Sequence, residues 1–294
     1  MASDRRFEDD PRAHWRMLRL AFGAFLLVFI VWQAADNNSI VLYPFRLLVT
    51  FVHEAGHGLS AILTGGRFLN FVVEPNGAGV AITSGGNRFI VIQMGYLGAA
   101  FFGAALLYAA NRARRTRWVA FAVGLFFAAC ALLFTGGGSV FVIGLIVALG
   151  LWLVAGTAGE RARLLQVGAL LALLVTLFLI RENTALLIGI IAGAALIGLG
   201  AFASPPITVF VLNVLALLVC FNAIADILGL FRYPNLRSTG GLPNDALALA
   251  DMTGVPVQLW LVLWMAFVLA ALGVSVYAAF IRPAGHRAAN DLNP

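Results

Sequence analysis

"FVHEAGHGLSAILTGG", residues 51–66, places two of the chain's four histidines and a glutamate inside an apolar run built to cross a bilayer. Burying an ionised side chain in hydrocarbon costs at least about 2.5–3.5 kcal/mol on the insertion scale, so these groups need a reason to be there. On a helix, His53 and His57 are four residues apart and project from one face, where both imidazoles can grip one ion. Glu54 follows the first ligand by about 100° of rotation, beside the water that such an ion activates. HExxH therefore supplies two zinc ligands and a general base within one and a half turns. The plainer reading, two structural histidines hydrogen-bonded inside a bundle, leaves Glu54 unexplained. Gly56 and Gly58, on the same helix, let a neighbouring helix or backbone come close.

The composition around this stretch is that of a polytopic membrane protein. Of 294 residues, 62% are hydrophobic and 11% charged, and the mean hydropathy is +0.95. Such a chain is too apolar for a water-soluble domain. The net charge of +6 would suggest nucleic acid in a soluble protein. Here the arginines sit in short segments between apolar runs, where basic residues set orientation, so no nucleic-acid partner is expected. The chain has no lysine, which reads as compositional bias of its genome. Cys130 and Cys220 stand alone in separate apolar segments and read as small hydrophobes.

Apolar runs between polar or Gly/Pro breaks predict an all-α protein of about nine spans, near 17–35, 40–63, 89–110, 118–134, 139–157, 164–181, 184–203, 207–230 and 256–281. The runs 118–134 and 139–157, split by "TGGGS", read as two tight spans or one broken hairpin. A polar N-terminal tail, 1–16, precedes a single transmembrane domain, 17–281, and a polar tail, 282–294, follows it. Residues 66–86 alternate apolar and polar residues around "PNGAG" and predict a membrane-associated β-hairpin. Residues 231–255 predict a Pro/Gly loop and then a short helix capped near Asn244 or Asp245. The arginines near 5–16 and those near 112–117 cannot both be cytoplasmic if three spans separate them. Either a segment before residue 110 is re-entrant or the N-terminal tail is translocated.

A zinc hydrolase needs a third protein ligand and an open position for water. His14 and His286 lie in the tails. Asp226, in "VCFNAIADILGL", is the one carboxylate well inside an apolar span outside the HEAGH helix, and an intramembrane Asp is a functional residue by default. The blander reading makes it an ion-pair partner for Arg46. Asp245 and Asp251 read as cap and surface residues, and Glu182 as an interfacial ion pair with Arg181.

"HEAGHGLSAILTGGR", then "PNGAGVAITSGG" and "GYLGAAFFGAAL", resemble the site-2 protease type of intramembrane zinc metallopeptidase, in its smaller B-like branch of bacteria and plants. "NDALALADMTGVPVQLWLVLW" is similar to the C-terminal part of that branch. The resemblance is specific over 40–110 and 208–265; between roughly 118 and 203 it rests on apolarity alone. It implies Zn²⁺ held by His53 and His57, Glu54 as catalytic base, and Asp226 as third ligand with Asp245 the runner-up. "FNAIADILG" lacks the Asn-Pro-Asp-Gly-like context of better-studied members. By analogy, Asn76 or Asn222 orients the substrate or the oxyanion.

The expected function is an intramembrane zinc endopeptidase that cuts membrane-spanning or membrane-tethered protein segments in a bacterial inner membrane. A non-catalytic protein of the same fold that binds client segments is the second reading. A transporter is the third, against which stands the lack of a second copy of the HEAGH block.

Overall fold

The computed structural model describes residues 11–34, 42–157, 159–234 and 244–281. The expected tail 282–294, residues 1–10 of the N-terminal tail and 235–243 of the expected loop lie outside the described residues. The elements run α1 (Pro11–Ala34), α2 (Tyr43–Leu63), β1 (Arg67–Val73), β2 (Gly79–Ser84), α3 (Arg88–Gln93), α4 (Tyr96–Arg112), α5 (Thr116–Phe134), α6 (Gly138–Ala155), α7 (Ala162–Ile180), α8 (Thr184–Phe202), α9 (Pro205–Arg232), α10 (Asp245–Thr253) and α11 (Val257–Val276). Helix α1 begins at Pro11, inside the stretch expected as a tail; proline suits a first helical turn because its missing N–H has no partner there anyway.

Among the described residues, six helices are long and apolar enough to cross a membrane: α5, α6, α7, α8, α9 and α11 with its continuation to Ile281. The protein is a polytopic, mainly helical membrane protein. The expected span 89–110 is not one helix: it breaks at Met94–Gly95 into α3 and α4. The runs on either side of "TGGGS" are two helices, parted at Gly136, whose φ of +72° few residues other than glycine adopt.

Burial separates a central helix from a rim. Within the apolar window of α9, 61% of residues are buried, against 11% for α6 and 17% for α7. The α6–α7 hairpin therefore turns its leucines, valines and isoleucines to lipid. Around α9 the helices approach through small residues, as expected where lipid removes any hydrophobic gain from helix association. A Cβ on Gly103 of α4 would meet Cys220 Sγ at 2.6 Å and the Ala216 carbonyl at 2.9 Å. Gly124 of α5 and Gly193 of α8 each face the other's carbonyl. Cys130 and Cys220 are free and buried. Asn111 and Asn213 clamp α4 to α9 through amide hydrogen bonds of 2.6 and 3.3 Å.

The two strands pair antiparallel and lie on α2. A register shift between Phe68 and Asn70 lets Phe68, Phe71 and Val73 all be buried. Phe71 meets Phe51 of α2 edge-on at 4.8 Å, and Phe68 stacks on Phe134 at 4.3 Å. The turn closes with Ala78 N–H donating to Asn76 Oδ1 at 2.8 Å, and Thr50 Oγ1 donates to the Gly77 carbonyl at 2.9 Å, pinning the turn to α2.

Candidate metal centre

One face of α2 carries Arg46, Thr50, His53, Glu54 and His57, spaced so that helical periodicity points them the same way, and all five line a cavity of about 850 Å³. The opposite wall comes from β2, the α3–α4 junction, the C-terminal part of α9 and the start of α10.

Within the cavity His53, His57 and Asp245 converge: one ligand atom from each lies within 4.8 Å of the others. His53 Nε2 is 3.0 Å from Asp245 Oδ2, His57 Nε2 is 3.2 Å from the same oxygen, and the two Nε2 atoms are 3.1 Å apart. The buried His57 ring donates from Nδ1 to the Val91 carbonyl of α3 at 2.7 Å. That bond leaves the Nε2 lone pair facing the cluster, the usual way a protein fixes a metal-ligating tautomer. Burial alone would push the Asp245 carboxyl up, but positive charge on the two imidazoles, with their hydrogen bonds to it, outweighs burial and holds this group below the usual carboxylate range.

These donors fit zinc. Tetrahedral sites with bonds of about 2.0–2.1 Å have ligand–ligand edges of about 3.3 Å, close to the three separations found, and two imidazoles with one carboxylate is a catalytic-type donor set that keeps a position open. The backbone makes room as well. A Cβ built on Gly95 would press on His53 Nε2 and lie 2.5 Å from His57 Nε2, so only a residue without a side chain leaves the two imidazoles where they stand.

Glu54 is 5% exposed and takes a backbone hydrogen bond from Ala81 of β2. Gly79 brings the strand so close that a Cβ there would stand 2.7 Å from Glu54 Cγ and 2.7 Å from Thr50 Cγ2. Gly56 serves close approach in the same way, letting the Met94 carbonyl seat on α2 between the two histidines. Gly58 faces the Phe68 ring.

Asp226 is in the same cavity but outside the converging trio, accepting 2.7 Å from Asn222 Nδ2 on its own helix. The structure brings the runner-up, Asp245, to the histidines instead. Asn244 explains the delivery: its Oδ1 caps Leu247 N–H at 3.0 Å and its Nδ2 donates to the Pro234 carbonyl at 3.0 Å, holding the first residue of α10 at the cavity. Asn76 also lines the cavity, with its amide tied to its own turn and to Glu74 at 3.1 Å. Arg181 and Glu182 pair at 2.9 Å, far in sequence from these elements and exposed.

Sequence reasoning did not single out Gly79, Gly95 or Tyr96. The Tyr96 ring meets His53 edge-on at 4.6 Å and stacks on Trp264 at 5.2 Å, holding the first imidazole against α11. The one signal in the sequence was a glycine interrupting the apolar run at 95.

Fold and site together define a polytopic membrane protein with a cavity between its helices in which two histidines and an aspartate converge closely enough to hold a metal ion. A family model described as Peptidase M50B-like matches residues 20–157 and 144–275, and the chain belongs to that family, the site-2 protease type of membrane peptidase. No curated protein and no solved structure matches it significantly.

Proposed function

We propose that this protein is a zinc-dependent intramembrane endopeptidase that cleaves membrane-spanning or membrane-tethered protein segments. The observation that carries the reading is the convergence of His53, His57 and Asp245 beside Glu54. His53 Nε2, His57 Nε2 and an Asp245 oxygen hold the ion, and Asp245 replaces Asp226 as the third ligand on grounds of distance. Bound zinc lowers the pKa of water toward about 7 and polarises a carbonyl.

The chain's own residues do the remaining work. Glu54 accepts the proton of the attacking water and returns it to the leaving amine, oriented meanwhile by the Ala81 N–H. Asn222 and Asn76 line the same cavity, Asn222 as the amide that orients the substrate backbone and Asn76 as the residue that shapes the turn at its rim, its own amide being engaged with Ala78 and Glu74. Asp226 keeps the Asn222 amide turned toward the cavity. A substrate helix must unwind locally to be cut, because its carbonyls are otherwise held in hydrogen bonds. Strand β2, at the cavity wall, is the element against which an unwound segment can pair. The arginine-only basic composition and the family fit a bacterial inner membrane.

The test is metal content of the detergent-purified chain. About one zinc per chain is expected in the wild type, lost in Asp245→Ala and in His53→Ala/His57→Ala but kept in Asp226→Ala. Zinc absent from the wild type even after reconstitution sinks the peptidase reading and leaves a client-binding protein of the same fold. Zinc lost in Asp226→Ala and kept in Asp245→Ala reverses the choice of third ligand.

A further inference from the structure

The α3–α4 junction is held against α2 in an unusual way for a packing contact. Gly95 has φ −61° and ψ −67°, a right-handed conformation that alanine adopts freely. Its backbone therefore does not call for glycine. What calls for it is the two imidazoles: a Cβ would meet His53 Nε2, stand 2.5 Å from His53 Cε1 and stand 2.5 Å from His57 Nε2. The Cβ would be nearly equidistant from His53 Nε2 and Cε1, beside the ring and off its lone-pair axis, so a methyl group there crowds the two imidazoles and turns them from the orientation in which both Nε2 atoms can reach one zinc ion at about 2.0–2.1 Å.

The rings have little freedom to yield. His57 is anchored through Nδ1 to the Val91 carbonyl, and His53 is held between Tyr96 and Asp245. The junction itself cannot back away without leaving Gly56, on which the Met94 carbonyl rests. One turn further along α4, Gly98 is different: its Cβ would find only ordinary contacts, 3.4 Å to Gly56 Cα and 3.6 Å to Met94 Cε.

We infer that Gly95 is a positioning residue for the metal: its missing side chain lets the His53 and His57 rings lie so that both Nε2 atoms face one ion. This rests on the zinc reading above and adds a positioning residue to it. Gly95 touches no substrate in this role; it acts through the two ligands.

The experiment compares wild type, Gly95→Ala and Gly98→Ala as full chains in detergent, measuring zinc by elemental analysis and thermal unfolding with and without EDTA. Wild type and Gly98→Ala are expected to carry zinc and to lose unfolding temperature when EDTA strips it. Gly95→Ala is expected to be empty, to unfold no higher than stripped wild type, and to be indifferent to EDTA. Gly95→Ala that retains wild-type zinc overturns the inference. So does a Gly95→Ala chain with no cooperative unfolding transition, since the methyl would then be breaking the fold and not only turning the two imidazoles. If wild type and Gly98→Ala are both empty, the zinc reading itself fails, and that outcome is distinct from loss in Gly95→Ala alone.

Discussion

Glu54 is the residue whose chemistry and surroundings agree most closely. It stands next to His53 on α2, is buried, and is fastened to β2 by one backbone hydrogen bond. Replacing it with glutamine keeps shape and hydrogen bonding but removes the base. Cleavage of a membrane-embedded peptide should fall roughly 10²–10⁴-fold, with zinc content unchanged; a Glu54→Gln chain that still cleaves at the wild-type rate removes Glu54 from the mechanism. Gly79→Ala acts on the same group indirectly. The added methyl meets Glu54 and Thr50, so the carboxylate moves while the ligands stay. Displacements of this size cost about 10²-fold in rate, and the check is that zinc is retained while cleavage is lost.

Among elements, α4 and α9 form the frame on which the site is hung. Helix α4 starts at the Gly95 junction, and α9 ends in the segment that carries Asn222 and Asp226. Their buried Asn111–Asn213 pair satisfies two amides at once. Asn111→Leu strands the Asn213 amide, and Asn213→Leu does the reverse, each costing about 1–2 kcal/mol in a membrane interior. The double Leu variant should recover part of that loss. Unfolding by SDS titration from detergent micelles measures the cycle, and strictly additive losses would mean that the two amides do not stabilise each other.

At the scale of the whole molecule, two crossings, α5 and α6, separate the arginine cluster at 112–117 from Arg161 and Arg163. Those segments therefore emerge on one face of the membrane, and Arg181, one crossing later, emerges on the other. The richer face is expected to be cytoplasmic. Single-cysteine variants Arg112→Cys, Arg163→Cys and Glu182→Cys, at exposed positions, test this in intact cells against a native background of buried cysteines. A membrane-impermeant maleimide should label only Glu182→Cys. Labelling of Arg112→Cys would invert the orientation.

Much of this protein was legible in one dimension because its strongest physical constraints are local. A membrane span is a run of apolar residues, and an HExxH pair is four positions on one helix, so both are visible without knowing what packs where. The split of 89–110 into α3 and α4 was hidden because hydropathy does not register a break that stays apolar on both sides, and the break falls where Gly95 passes the histidine rings. The choice between Asp226 and Asp245 was equally out of reach. Asp226 looked right because it lies in an apolar span, whereas Asp245 looked like a helix cap, and Asn244 is the residue that caps. Asp245 lies 192 positions from His53 and reaches it only because α10 folds back over the cavity after α9. Local sequence determined the helices, the histidine pair and the glutamate beside it; tertiary structure decided which distant carboxylate meets them and how closely the backbone passes, because those depend on distances that no local spacing encodes.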